Sequence, residues 1–427
     1  MNESAEVLLW GTRIGVVSRE GDTPYVKFAY DAAFLDSGIE PSPLTMPLAA
    51  KVYEFPELQE RSFHGLPGLL SDSVPDKFGN AVIDVWLRAQ GRPPDSLSPI
   101  ERLCYAGTRG MGALEYRPVL FADGDKAEEI RVDALAQLAD AVLCQRRQAS
   151  AELVPDMKRF APILRVGASA GGARAKALIG WDEKSGSVRS GQVRLPPEYG
   201  YWLIKFDGVT GNGDKEDDDK WGYGRVEYAY YLMAKAVGVD MMESRLWDRR
   251  HFMTRRFDRA EGGQKLHLQT LGALAHFDFN NPMLYSYEQG FRVTREVVRD
   301  VRAVEELYRR MVFNVLGWNC DDHVKNISFL MDRRGTWHLA PAYDMCYAYN
   351  PNGAWTSSHQ MAVAGKKRGI GDADLLVSAK AAGISAVKAR RIVGEVREAV
   401  MNWPSFADKA EVRDEFRTEI SARLGVG

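Results

Sequence analysis

Cysteine is scarce in this chain. Four of its 427 residues are Cys (Cys104, Cys144, Cys320 and Cys346), and no two form a C-x-x-C pair. That excludes a disulfide-framed fold and disfavours a zinc ribbon or a thioredoxin-type site. The seven His show neither H-E-x-x-H nor paired-ligand spacing, so a catalytic zinc is not expected. A dinucleotide G-x-G-x-x-G and a Walker A loop are also missing. No apolar run approaches the roughly 18 residues of a membrane span. The first residues lack a basic stretch followed by an apolar core, so no signal peptide is expected. Charge is balanced: 56 Lys and Arg against 58 Asp and Glu leave a net −2, with no global pull toward nucleic acid. We expect a reduced, cytoplasmic protein with no membrane partner.

The composition is that of a globular chain, 45% apolar and 27% charged, long enough for two or three folding units. Glu6–Trp10 and Tyr25–Ala29 read as strands and Phe78–Gln90 as a helix. Val132–Gln148 repeats the helical pattern after a polar segment. Ala161–Val166, Arg174–Trp181, Ser187–Leu195 and Tyr201–Phe206 read as strands of an antiparallel sheet. A glycine-rich loop fills the first of their connections. Gly211–Lys220 reads as a solvated acidic loop, since it lacks the Gly and Glu of an EF-hand. Beyond Arg225 the pattern is helical, with Gly238 as a stop signal, Arg245–Phe257 as a strand or strand pair and Val301–Trp318 as a long helix. We expect segments 1–125, 126–255 and 256–427: a mixed N-terminal part, a small sheet with the glycine-rich loop, and a helical lobe.

The sharpest chemical signal follows the 301–318 helix. Asp321 and Asn326 stand five residues apart in Asp321-Asp322-His323-Val324-Lys325-Asn326, and Asp344 comes eighteen residues later. Phosphoryl transfer needs a carboxylate to orient the attacking hydroxyl and oxygen ligands for magnesium. In protein kinases a D-x-x-x-x-N loop and a later Asp supply these. Ile327–Met331 and Thr336–Ala340 read as a hairpin turning at Arg333-Arg334-Gly335, which would return Asp344 toward Asn326. A D-x-x-x-x-N alone also occurs as ordinary loop capping.

Two further features fit the same chemistry. Small residues in Ser169-Ala170-Gly171-Gly172-Ala173-Arg174-Ala175-Lys176 would let backbone N–H groups approach phosphate oxygens. Lys205 ends an otherwise apolar strand, where a cation is costly unless it meets an anion or reaches solvent. Glu227, early in a helix, is a candidate partner for it. Gly107–Ala113 reads as a tight turn.

This order of motifs resembles the HipA family of bacterial serine/threonine kinases, the toxins of HipBA-type toxin–antitoxin systems. Asp321–Asn326 fits the family's D-x-H-x-K-N loop, and Ala340-Pro341-Ala342-Tyr343-Asp344 its L-A-P-x-Y-D motif. Phe63–Leu66 with Leu70–Ser73 resembles F-x-G-L…L-P-D-S, with Ser71 in place of Pro. Gly107–Glu115 resembles G-R-D-x-x-G-A-L, with departures in the middle. The resemblance implies an α+β, two-lobed protein kinase-like fold, with small antiparallel sheets in a mixed N-terminal half and a mainly helical C-terminal lobe. It implies Asp321 as general base, and Asn326 and Asp344 as magnesium ligands. Gly171, Gly172, Ala173, Arg174, Ala175 and Lys176 would cover the phosphates of ATP, with Lys205 in contact. His323, Lys325 and Tyr343 belong to the same nucleotide-facing motifs. Arg255, Arg256 and Phe257 fall where the family places its adenine-contacting hinge, with Arg255 in place of Glu. Ser169 falls at the family's autophosphorylated serine, where a phosphate would add about −2 charge and could eject the loop. The implied substrate is a protein such as an aminoacyl-tRNA synthetase. The implied partner is a helix-turn-helix antitoxin of HipB type, with DNA reached only through it. An aminoglycoside-type phosphotransferase shares D-x-x-x-x-N and a later Asp, but residues 1–120 disfavour it. A catalytically idle binding or corepressor protein is the other alternative.

Overall fold

The computed structural model describes residues 3–75, 77–121, 128–147, 157–167, 172, 174–209, 222–281 and 284–426. The chain divides into two units. The first holds Met1–Trp221, Met253–Gln269 and Met331–Gly335; the second holds Gly222–Phe252, Thr270–Leu330 and Thr336–Gly427.

The first unit begins with a sheet of β1 (Glu3–Leu9), β2 (Thr12–Arg19), β3 (Lys27–Tyr30), β4 (Val52–Tyr53) and β5 (Leu114–Arg117), in the order β4-β3-β2-β1-β5. Trp10 and Gly11 join β1 to β2 with φ of 52° and 83°. Both are left-handed, as a two-residue turn matching the strand twist requires. The helix Lys77–Ala89 buries Phe78, Val82, Val85 and Trp86. Ser98 and Glu101 form a capping box that starts the helix Pro99–Ala106.

The second sheet of this unit contains β6 (Lys176–Trp181), β7 (Val188–Ser190) and β8 (Gly200–Lys205), antiparallel as expected and ordered β7-β6-β8. β9 (Ser244–Trp247) and β10 (His251–Arg255) are the strand pair expected over Arg245–Phe257. The Met253–Arg255 part of β10 belongs to this unit and continues the sheet beside β8. β11 (His267–Thr270) follows.

Two readings change. Ala161–Val166 is not a strand but the end of the helix Met157–Val166. Its apolar positions Phe160, Ile163 and Leu164 recur at helical spacing, yet over so short a run they look like an apolar strand. A methyl group on Gly167 would lie 3.3 Å from both Phe78 and Val82, so this helix end packs tightly against Lys77–Ala89. The strand expected over Ser187–Leu195 is only Val188–Ser190. The segment Gly211–Lys220 lies outside the described residues.

The second unit is mainly helical. Tyr223–Ala236, Tyr287–Val298, Val301–Leu316, Asp372–Ala381, Ala386–Met401, Trp403–Lys409 and Asp414–Leu424 are its longer helices. Asp300 caps Val301–Leu316 by accepting from Arg302 N–H, and the buried face carries Val304, Leu307, Tyr308, Met311, Val312 and Val315. Each such side chain contributes about 1.5–3 kcal/mol of burial, which fixes where the following loop begins. β12 (Ser328–Met331) and β13 (Trp337–Leu339) flank Arg333-Arg334-Gly335, as expected, with Gly335 at φ 81°. No helix among the described residues is long and apolar enough to cross a membrane.

Candidate active site

Each unit carries one set of the expected residues. In the second, the Val301–Leu316 helix ends at Gly317, and Trp318 turns the chain with φ 53°. The loop Asn319–His323 follows, then a single tight helical turn, Val324–Asn326. Asn326 Nδ2 donates to Asp321 O at 2.7 Å, closing the five-residue loop on itself. This leaves the Asn326 amide oxygen as an acceptor. The Asp321 carboxylate is half exposed, with His323 Nε2 at 3.9 Å from its Oδ1. Asp322 points the other way and is 2% exposed. It accepts from Tyr287 Oη at 2.9 Å, Gln360 N at 2.7 Å and His359 Nδ1 at 3.0 Å. One of the two adjacent carboxylates is thus half exposed, and the other anchors the loop.

Tyr343 Oη donates to Lys325 O at 2.5 Å and shares a second contact with Ser328 Oγ. It ties the end of the hairpin back to the start. The Lys325 ammonium lies 4.8 Å from the centre of the Phe279 ring. Asp344 has φ 52°, a left-handed conformation that Asp tolerates better than most residues. Asn319 Nδ2 holds its carbonyl at 3.2 Å. Asn326, Asp344, Asp322, His323 and Asn319 line one cavity of about 20 Å³, enough for one water-sized occupant. Burial, reinforced by Asp322 and Asp321, pushes the Cys320 thiol well above its ordinary range, so this neighbour of the loop is unreactive.

In the first unit, Lys176 and Lys205 are cross-strand partners on β6 and β8. Their side chains therefore leave one face of the sheet side by side. Two like charges in that position repel unless an anion joins them. Lys176 is 3% exposed, and a methyl group on Gly172 (φ 99°) would lie 2.5 Å from its Nζ. Gly172 alone lets the loop pass that close to the ammonium. Ala175 O accepts from Phe206 N at 2.9 Å, fixing Arg174 and Ala175 at the sheet edge. Ser169, Gly171 and Ala173 lie outside the described residues.

The hinge residues divide. Arg255 lies with its guanidinium 5.6 Å from the Trp202 ring. Arg256 N donates to Tyr201 O, and its side chain is buried in a bidentate pair with Asp258 at 2.9 and 2.8 Å. Asp258 also accepts from Arg259 and from Gly112 N. The two guanidinium groups hold its carboxyl far below the usual range despite burial. This cluster anchors the Gly107–Ala113 turn. Phe257, between them, is half-buried.

The donor set suits magnesium. One carboxylate (Asp344) and one amide oxygen (Asn326) are hard ligands, few enough to leave positions for water and phosphate. Among the described residues no three His, Cys, Asp or Glu gather into a metal cage. Sequence reasoning missed Asn314, Asn319 and Tyr287; only the N-x-D spacing of Asn319 to Asp321 marked any of them.

The fold is of mixed α+β class, with small antiparallel sheets in the first unit and a mainly helical second unit. Residues 5–117 match the HipA N-terminal domain and residues 168–403 the HipA-like C-terminal domain. The chain belongs to the HipA family. Its fold is similar to that of a chain in the HipA, HipB and operator DNA complex of a Shewanella oneidensis toxin–antitoxin system. The TM-score is 0.62 at 16% identity, over 98% of this chain and 94% of that one. A Sinorhizobium fredii protein named as a kinase, Y4dM, is 26% identical over 219 residues. The match spans 46% of this chain and 47% of that relative, about half the length of each.

Proposed function

We propose that the chain is an ATP- and magnesium-dependent serine/threonine protein kinase of HipA type. The observation that carries the reading is the closure of Asn326 onto Asp321, with Asn326 and Asp344 on one small cavity. Asp321 accepts a hydrogen bond from the substrate hydroxyl and takes its proton as the oxygen bonds to the γ-phosphorus, the bond to the β,γ-bridging oxygen breaks and ADP leaves. His323 steadies that carboxylate. Lys176 and Lys205 bind the phosphates from one sheet face. Asn326 and Asp344 would hold a magnesium ion, which would supply positive charge against the phosphates. Gly171 to Lys176 cover the nucleotide, and the backbone near Arg255–Phe257 meets the adenine.

The physiological role we infer is that of a toxin acting on a translation factor such as an aminoacyl-tRNA synthetase. Its partner is a HipB-type antitoxin that carries it to operator DNA, as supported by the composition of the Shewanella complex. Phosphorylation of Ser169 inactivates it by placing charge in the nucleotide loop. The test is incubation with γ-labelled ATP and magnesium, with and without bacterial lysate, against Asp321→Ala. Label that vanishes in the variant establishes the kinase, and label mapped to Ser169 establishes self-inactivation chemistry. No label from dephosphorylated wild type under any of these conditions overturns the reading in favour of an idle binding protein.

A further inference from the structure

Asn319 stands two residues before Asp321 and is 2% exposed. Its Nδ2 donates to Asn314 Oδ1 at 2.9 Å and to Asp344 O at 3.2 Å. Both amide hydrogens are committed to acceptors, so the amide cannot turn over without setting oxygen against oxygen. Asn314 is itself held, its Nδ2 donating to Tyr287 Oη at 2.9 Å, and Tyr287 donates on to Asp322. The orientation of Asn319 is thus fixed by a relay anchored at Asp322.

The consequence is an obligate acceptor. Asn319 Oδ1 is buried and has no hydrogen-bond partner among the described residues. A buried amide oxygen left in that state is destabilising, because it has given up its hydrogen bonds to water. Asn319 lines the cavity of about 20 Å³ that Asn326 and Asp344 also line. His323, on the same cavity, has a buried Nδ1 that likewise lacks a partner among the described residues. An acceptor aimed into such a space calls for a donor of one water's size. A water polarised by a divalent cation is an especially strong one.

We propose that Asn319 is an outer-sphere residue of the metal site: its amide oxygen accepts from a magnesium-bound water, while its amide nitrogen positions the backbone of Asp344. The inference rests on the magnesium reading above. Outer partners of this kind set metal affinity by about 10–100-fold.

The experiment reads binding rather than turnover. Mn2+ is titrated by electron paramagnetic resonance into the full chain with β,γ-methylene-ATP, and affinity for that nucleotide is measured separately without metal. Asn319→Ala is expected to bind Mn2+ at least about 10-fold more weakly, with metal-free nucleotide affinity unchanged. Wild-type Mn2+ affinity in the folded variant overturns the proposal. So does an equal loss of metal-free nucleotide affinity, which marks a structural role. If Asn319→Ala does not fold, Asn319→Ser, whose shorter arm withdraws the oxygen, is read by the same criteria. Wild type that binds nucleotide but no Mn2+ overturns the magnesium reading as well, and so separates the two failures.

Discussion

Asp322 and His359 meet at 3.0 Å in the interior of the second unit, one residue past the half-exposed Asp321. The loop therefore buries one of two identical neighbouring side chains and leaves the other half exposed, and under the proposed function the first holds and the second reacts. Asp321→Asn is expected to lower phosphoryl transfer by about 10²–10⁴-fold while changing stability by no more than about 0.5 kcal/mol. Asp322→Ala strands three donors and is expected to cost about 3 kcal/mol. Urea unfolding beside a labelled-phosphate assay checks both. Equal stability loss in the two variants would contradict the division.

Gly172 lies close against the Lys176 ammonium. Gly172→Ala puts a methyl group where the ammonium lies and demands a left-handed alanine. We expect a stability cost of about 1 kcal/mol, together with a loss of ATP affinity comparable to that of Lys176→Met. Isothermal titration with ATP would show this. Undiminished affinity would mean that the ammonium does not meet the phosphates.

His267 gives the first unit an acid sensitivity of its own. Burial pulls its imidazole from 6.5 down to about 4, although Nε2 faces Pro41 O at 2.9 Å. The folded state therefore resists protonation while the unfolded state accepts it. No penalty exists above pH 6.5, and stability falls as the pH drops from there toward 4. The loss totals roughly 3 kcal/mol. His267→Gln should flatten that part of the stability profile, measured by urea midpoints at pH 7, 5.5 and 4.5. An unchanged slope would place the sensitivity elsewhere.

Arg423, in the helix Asp414–Leu424, lies 4.9 Å from the Trp318 ring centre and 4.3 Å from that of Tyr349. Trp318 is the residue that turns the chain into the Asn319–His323 loop. Arg423→Ala should cost about 1–2 kcal/mol and speed amide exchange over residues 318–322, read by mass spectrometry. Unchanged exchange there would show that the clamp does not restrain the loop.

The parts of this protein that follow from local rules were legible. The β12–β13 hairpin was marked by Gly335, and the helix ending before Trp318 by its apolar face. Asp321, Asn326 and Asp344 were visible because their spacing serves a chemistry. Ala161–Val166 was misread because six residues of apolar run do not separate a helix from a strand. Asn319, Asn314 and Tyr287 escaped for a different reason. Their importance lies in which donor faces which acceptor, across separations from 5 to 35 residues of chain, and no periodicity records that. Arg256 was expected at a hinge for its backbone groups; the pairing of its side chain with Asp258 is a separate feature that only the fold reveals.

The path of the chain also orders events during synthesis. The first unit is assembled from residues before 222 and from two later stretches, Met253–Gln269 and Met331–Gly335. A ribosome must therefore translate past Asp321 and Asn326 before the unit bearing Lys176 and Lys205 has all its pieces. No truncated product ending before residue 331 contains a finished first unit. A nascent chain stalled early thus carries neither set of site residues in final form, and premature termination yields fragments rather than a half-competent enzyme.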